Sequence, residues 1–202
     1  MGPLTSRFRD LAPNGCIQLL PLDPKDHLES LERFNTDAII FLSLPVPEWM
    51  RSKVVYHSYF RVIASTDNPY LRDLKPKQQI PLDVYCELKH GVYSPSGEVR
   101  TWMDTELSKQ GKNRHVVATA PTFHSLAKTV QQSDIISTVP KAIADDFSEC
   151  YGLTVYAHPL DYLKAELMMA WHYRKDKKPE QVWFRDLVTE ELAKIQWMER
   201  LN

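Results

Sequence analysis

Residues 132–147 read QSDIISTVPKAIADDF. The run Asp134–Val139 is too short for a buried helix and is rich in β-branched side chains, which predicts a strand covered on both faces. Pro140 follows directly and suits the first turn of a helix, where its missing N–H would have had no partner. A strand that stops where a helix begins sets a carboxyl strand end beside a helix N-terminus. In open α/β sheets ligands bind at that edge.

Outward from this stretch, short apolar runs alternate with helical patterns. Strands are expected at 16–20, 37–42, 53–56, 60–64, 90–93, 114–118, 134–139, 153–157 and 165–171. Leu4, Phe8 and Leu11 share one helical face that Pro13-Asn14-Gly15 stops. Asp23-Pro24 opens a helix through Phe34, and Ser96-Gly97-Glu98 opens another that Gly111 closes. Further helices are expected at 123–132, 140–150 and 179–198. Residues 44–49, LPVPEW, carry two prolines and read as a crossing segment, and 67–89 as turn and polar loop. The alternation predicts α/β architecture with parallel sheets.

The bulk properties narrow the function. A chain of 202 residues has room for one large domain or two lobes of about 100 residues each. A net charge of −1 excludes a broadly basic phosphate-binding surface. Cys16, Cys86 and Cys150 are odd in number and widely spaced, the usage of reduced cytoplasmic thiols. The chain carries no apolar run of membrane-spanning length, and its first residues lack a signal-peptide core.

Among chemical motifs, the seven histidines form no H-x₃-H or H-E-x-x-H pattern, so no metal or cofactor is expected. There is no G-x-S-x-G, P-loop or G-x-G-x-x-G. Ser94-Pro95-Ser96-Gly97, Ala120-Pro121-Thr122-Phe123 and Ser137-Thr138-Val139-Pro140 all lie at strand-to-helix junctions. Such junctions favour anionic or polar groups. Ser96 is equally readable as a simple helix cap. None of the three pairs a nucleophile with a base, so binding is favoured over catalysis and no catalytic residue is assigned.

A series of segments then carries a resemblance. D-A-I-I-F (37–41), Y-H-S-Y-F-R-V-I-A (56–64), D-N-P (67–69), H-G-V-Y (90–93), S-D-I-I-S-T-V-P (133–140), G-L-T-V (152–155), W-H-Y-R (171–174) and V-W-F-R-D-L (182–187) occur in order. Together they resemble the effector-binding domain of LysR-type transcriptional regulators, of the nodulation and aromatic-degradation branch. The resemblance implies two Rossmann-like lobes of the type 2 periplasmic-binding-protein kind, with an effector cleft between them. Residues 1–50 plus 162–202 would form the first lobe and 51–161 the second. Effector contacts would come from Ser43, Leu44, His57, Ser94, Ser96, Thr122 and Phe123. The implied partners are a small aromatic or anionic effector and a second copy of the chain, as homodimer or tetramer. DNA would be met only through a winged helix-turn-helix for which residues 1–202 offer no counterpart. A stand-alone solute-binding protein or a small enzyme on the same fold is the alternative.

Three expectations follow from the resemblance. Trp49, Trp102, Trp183 and Trp197 are numerous enough to mark a self-association surface. His57 would answer a carboxylate or phenolate effector, since imidazole titrates near neutrality. The family also places a strand ahead of the first helix, which Met1-Gly2 cannot supply. The first lobe would then be rearranged or completed by another segment, with weak effector affinity, and whether 16–20 pairs with 37–42 is the check.

Overall fold

A computed structural model describes residues 2–20, 27–33, 35–42 and 46–201. The opening stretch folds as read: β5 (Ile136–Pro140) runs directly into α6 (Lys141–Tyr151). Pro140 stands at the helix start with φ −55° and ψ 144°. Ile136 and Val139 are fully buried but join different apolar clusters, so β5 is covered on both faces.

The chain divides into two compact units, residues 1–58 with 165–202, and residues 59–164. The second unit holds the latter part of β2 (Met50–Ala64), α3 (Leu82–Glu87), β3 (Lys89–Tyr93), α4 (Trp102–Lys109), β4 (His115–Ala120), α5 (Phe123–Gln131), β5, α6 and β6 (Thr154–Ala157). Strand β3 lies between β4 and β5 and runs parallel to both. Strand β2 is antiparallel to β5 and to β6. The sheet is therefore mixed, where the alternation of segments had predicted parallel pairing throughout. Tyr85, Met103 and Leu107 from α3 and α4 cover one face, and Leu126, Val130 and Ala144 from α5 and α6 cover the other.

Several polar groups inside this unit are held by specific partners, while His90 Nδ1, His158 Nε2 and Ser137 Oγ are buried without one among the described residues. Arg114, its side chain 2% exposed, forks onto Asp104 through Nε and Nη2 at 2.9 Å each, and Nη2 also reaches Thr101 Oγ1 at 3.0 Å. Tyr85 Oη and Thr138 Oγ1 share a 2.7 Å hydrogen bond. The Tyr85 ring packs edge-on against both His90 and His158. His90 Nε2 lies 2.7 Å from the Tyr85 carbonyl, and His158 Nδ1 accepts from the Leu160 N–H at 3.1 Å. Burial is the chief cause that pushes both imidazoles down to about 4.

The first unit comprises α1 (Gly2–Leu11), α2 (His27–Glu32), β1 (Ile39–Leu42), the start of β2, β7 (Lys164–His172) and α7 (Pro179–Leu201). Strand β1 pairs antiparallel with β7, Ile39 opposite Ala170, and β7 neighbours β2. Leu4 and Phe8 of α1 pack with Leu187 and Val188 of α7 over Met169 and Trp171. Arg7 ties the two helices at their margin, reaching Glu190 at 2.7 Å and Glu191 at 2.8 Å.

Several expected elements differ. Residues 15–20 are irregular, with Leu19 and Leu20 51% and 54% exposed. A strand needs a ladder partner, and among the described residues β1 pairs only with β7, so 16–20 does not join 37–42. The two short strands at 53–64 are one continuous β2, since no Gly or Pro interrupts Met50–Ala64. The helix expected from Ser96 starts at Trp102 instead, where Thr101 and Asp104 form a capping box. The loop at 67–89 contains the short α3, whose buried Tyr85 is the anchor. Of the four tryptophans expected to mark a self-association surface, Trp183 is 38% exposed, Trp49 and Trp102 are half-buried, and Trp197 lies outside the residues whose side chains are described. The three cysteines are free thiols.

The neutral histidines make the fold acid-sensitive, with a sign that follows from linkage. An unfolded imidazole takes its proton near pH 6.5, whereas His90 and His158 resist protonation until about 4. Their contribution is complete above pH 6.5 and is lost as pH falls toward 4, about 3 kcal/mol each at the acid limit. Urea melts between pH 6.5 and 5, above the carboxylate range, should lose stability with a slope approaching two protons. A flat profile over that window would refute the assignment.

Candidate functional site

The parallel arrangement of β3, β4 and β5 brings three strand ends to one edge of the second unit. There the Ser94 N–H donates to the Ala120 carbonyl at 2.9 Å, locking the end of β3 to the end of β4. The Gly97 N–H closes a turn onto the Ser94 carbonyl at 3.2 Å. Pro95 presets the second residue of that turn, and Gly97 takes φ +76°, which a side chain would resist. Ser96 is thereby held on an exposed loop rather than at a helix start.

At the end of β4, Thr122 caps α5: its Oγ1 accepts from the Ser125 N–H at 3.1 Å and shares a 2.9 Å hydrogen bond with Ser125 Oγ. Thr122 thus has a structural duty as well as its place at the edge. Phe123, the first residue of α5, stacks on Tyr93 with ring centroids 4.0 Å apart and an interplanar angle of 13°. Tyr93 is part of this edge and was missed from sequence; as the residue directly before Ser94, its aromatic ring was the available signal.

Ser94, Ser96, Thr122 and Phe123 therefore come together on one edge of one unit. His57 belongs to the first unit, on β2, with Nε2 3.4 Å from Glu166 Oε1 on β7. Ser43 and Leu44 lie outside the described residues. Lys141, at the end of β5, is a further member of the edge that sequence reading left unassigned; its Nζ is 2.8 Å from Asp145 Oδ2.

Chemically, the edge offers hydroxyl groups, an aromatic face and a cation. The hydrogen bonds of Thr122 run to Ser125 and backbone, not to a histidine or carboxylate that would act as a base. Among the described residues no group of three or more His, Cys, Asp or Glu side chains could hold a metal ion. No helix of the described residues is long and apolar enough to cross a membrane.

Known proteins resemble this chain along almost its whole length. The family model for the LysR substrate binding domain matches residues 1–193. The transcriptional activator NahR of Pseudomonas putida is 22% identical over 177 residues, covering 88% of this chain and 57% of that protein. This chain thus spans little more than half of that relative's length. The regulatory domain of MexT, a transcriptional activator in Pseudomonas aeruginosa, superposes with a TM-score of 0.80 at 25% identity, covering 94% of this chain and 90% of that one. The effector binding domain of BenM, solved with its effector benzoate, gives a TM-score of 0.75 at 14% identity over 100% of this chain and 88% of that one. These likenesses bear out the α/β fold of the type 2 periplasmic-binding-protein kind. With its family model matched over residues 1–193, the chain belongs to the LysR substrate binding domain family.

Proposed function

We propose that this chain is the effector-sensing part of a LysR-type transcriptional regulator, binding a small anionic or aromatic molecule to modulate transcription by a longer protein. The observation that carries the reading is the carboxyl edge of β3, β4 and β5, where hydroxyls, a stacked aromatic pair and a lysine converge. Ser94, Ser96, Thr122 and Phe123 contact the effector, and the same reading assigns Ser43, Leu44 and His57 to it. The chain acts in the cytoplasm without enzymatic activity, and DNA is reached through a helix-turn-helix domain outside these residues.

Self-association belongs to the same reading. Leu11, Leu19, Leu20 and Trp183 of the first unit leave apolar surface in water, as interfaces do. A second copy of the chain covers such surface in a homodimer.

Each part of the reading has a direct test. In a thermal-shift panel of aromatic acids and flavonoids, a true effector at a hundredfold excess over its Kd should raise the melting temperature by about 5–10 °C. No shift across the panel would count against the sensor. With the effector found, His57→Ala should weaken binding roughly three- to tenfold. Unchanged affinity would make His57 structural. Light scattering at high micromolar concentration should give twice the 23.5 kDa chain mass, and a monomer mass would refute self-association.

A further inference from the structure

In the first unit, the loop that carries β7 into α7 gathers positive charge around a stack of rings. Trp49 and His172 lie 5.4 Å apart between ring centroids, and His172 stacks on Tyr173 at 5.0 Å with an interplanar angle of 25°. The Arg174 guanidinium stands 5.9 Å from the Tyr173 ring centroid. The Tyr173 N–H donates to the Trp49 carbonyl at 2.9 Å, which ties the loop to the start of β2. Tyr173 is 43% exposed and Trp49 half-buried, so the stack reaches the surface.

Four exposed cations accompany it: Arg51, Arg174, Lys177 and Lys178. None of the four forms an ion pair among the described residues. Lys175 is already committed, with Nζ 2.7 Å from Asp37 Oδ1, and Gln181 Nε2 shares that oxygen at 3.0 Å. Lys177 and Lys178 directly precede Pro179, the first residue of the 23-residue α7, where the helix dipole adds positive potential instead of relieving it. The same field is felt inside the stack. Burial first, and then Arg174 and Lys175, hold the His172 imidazole below its ordinary value against the pull of Glu32.

The chemistry of the patch distinguishes between polyanions. Its exposed carboxylate neighbours in the chain are Glu48 and Glu180, so the positive area is narrow. A DNA duplex carries a charge about every 1.7 Å over a broad face and would set phosphates against those carboxylates. A single extended peptide is slim enough to meet the cations alone, and the ring stack offers it apolar contact that a phosphate backbone would leave unused.

We propose that this face of the first unit docks an acidic, aromatic-bearing peptide segment of a partner protein, its carboxylates against Arg174, Lys177 and Lys178 and its ring against Tyr173 and Trp49. Charge complementarity selects the partner, as in other acidic-motif sites. The face lies in the first unit alone, apart from the strand ends of β3, β4 and β5 in the second, so it stands or falls independently of the effector reading.

Fluorescence anisotropy of the intact chain tests the assignment with a short labelled peptide that alternates glutamate and phenylalanine. At pH 7 and low salt the Kd should lie at roughly 10–100 µM, and about tenfold weaker at several hundred millimolar salt. Replacing every glutamate of the probe by glutamine should abolish binding, and replacing phenylalanine by serine should weaken it. The double variant Lys177→Glu, Lys178→Glu should bind at least about tenfold more weakly, and Tyr173→Ala about threefold. The reversal Arg72→Glu, Lys75→Glu on the second unit changes net charge equally and should leave the Kd unchanged. No binding, equal binding of the glutamine peptide, or equal loss in both double reversals overturns the proposal. So does a short DNA duplex of arbitrary sequence that binds as tightly as the peptide and is lost with Lys177 and Lys178.

Discussion

The parallel pairing of β3 with both β4 and β5 is the constraint on which the second unit depends. Parallel neighbours must be joined by crossovers, and here the crossovers are helices: α4 between β3 and β4, α5 between β4 and β5. Helices on both faces leave no water-facing side, which is why β5 can spend Ile136 and Val139 on two separate clusters. The same pairing sets every carboxyl end at one edge, so that Ser94, Thr122 and Lys141 converge from positions 28 and 19 residues apart in the chain. This convergence at one edge is a consequence of strand direction.

Beneath that edge, part of the polar interior is held by specific hydrogen bonds. The Arg114–Asp104–Thr101 fork ties the start of α4 to the approach of β4 through a guanidinium that is almost fully covered. Tyr85 does comparable work below β5, joining Thr138 by its hydroxyl and filling the space between two imidazoles with its ring. Keeping those imidazoles neutral avoids burying charge without a counter-ion. In the first unit the amphipathic α7 serves a similar structural end. Its apolar stripe shares one cluster with α1 and β7, and Arg7 bridges at the margin to the exposed Glu190 and the buried Glu191.

Much of this was legible in the residues themselves. The strand-proline-helix stretch at 134–147 could be read because β-branched residues, proline and the helical period each act locally. The apolar stripe of α7 and the junction positions Ser94, Thr122 and Phe123 were legible for the same reason, as was the family, through short segments spread over nearly the whole chain. Local rules failed where the outcome depended on a partner. Gly-Cys-Ile-Gln-Leu-Leu at 15–20 has strand composition but no adjoining ladder, and it stays irregular with both leucines exposed. Ser96 has the composition of a helix cap, yet Thr101 takes that role because Asp104 and Arg114 complete the box there.

By itself the sequence determined the α/β class, most of the strand and helix positions and the absence of a nucleophile–base motif, because each rests on short-range periodicity and residue chemistry. Tertiary structure alone decided the mixed strand directions, the stack of Tyr93 on Phe123 and the burial of Lys141 at the start of α6. Those depend on which strands lie side by side and which side chains they cover. Periodicity reports which face of a segment is apolar, but carries no record of the neighbour that will bury it.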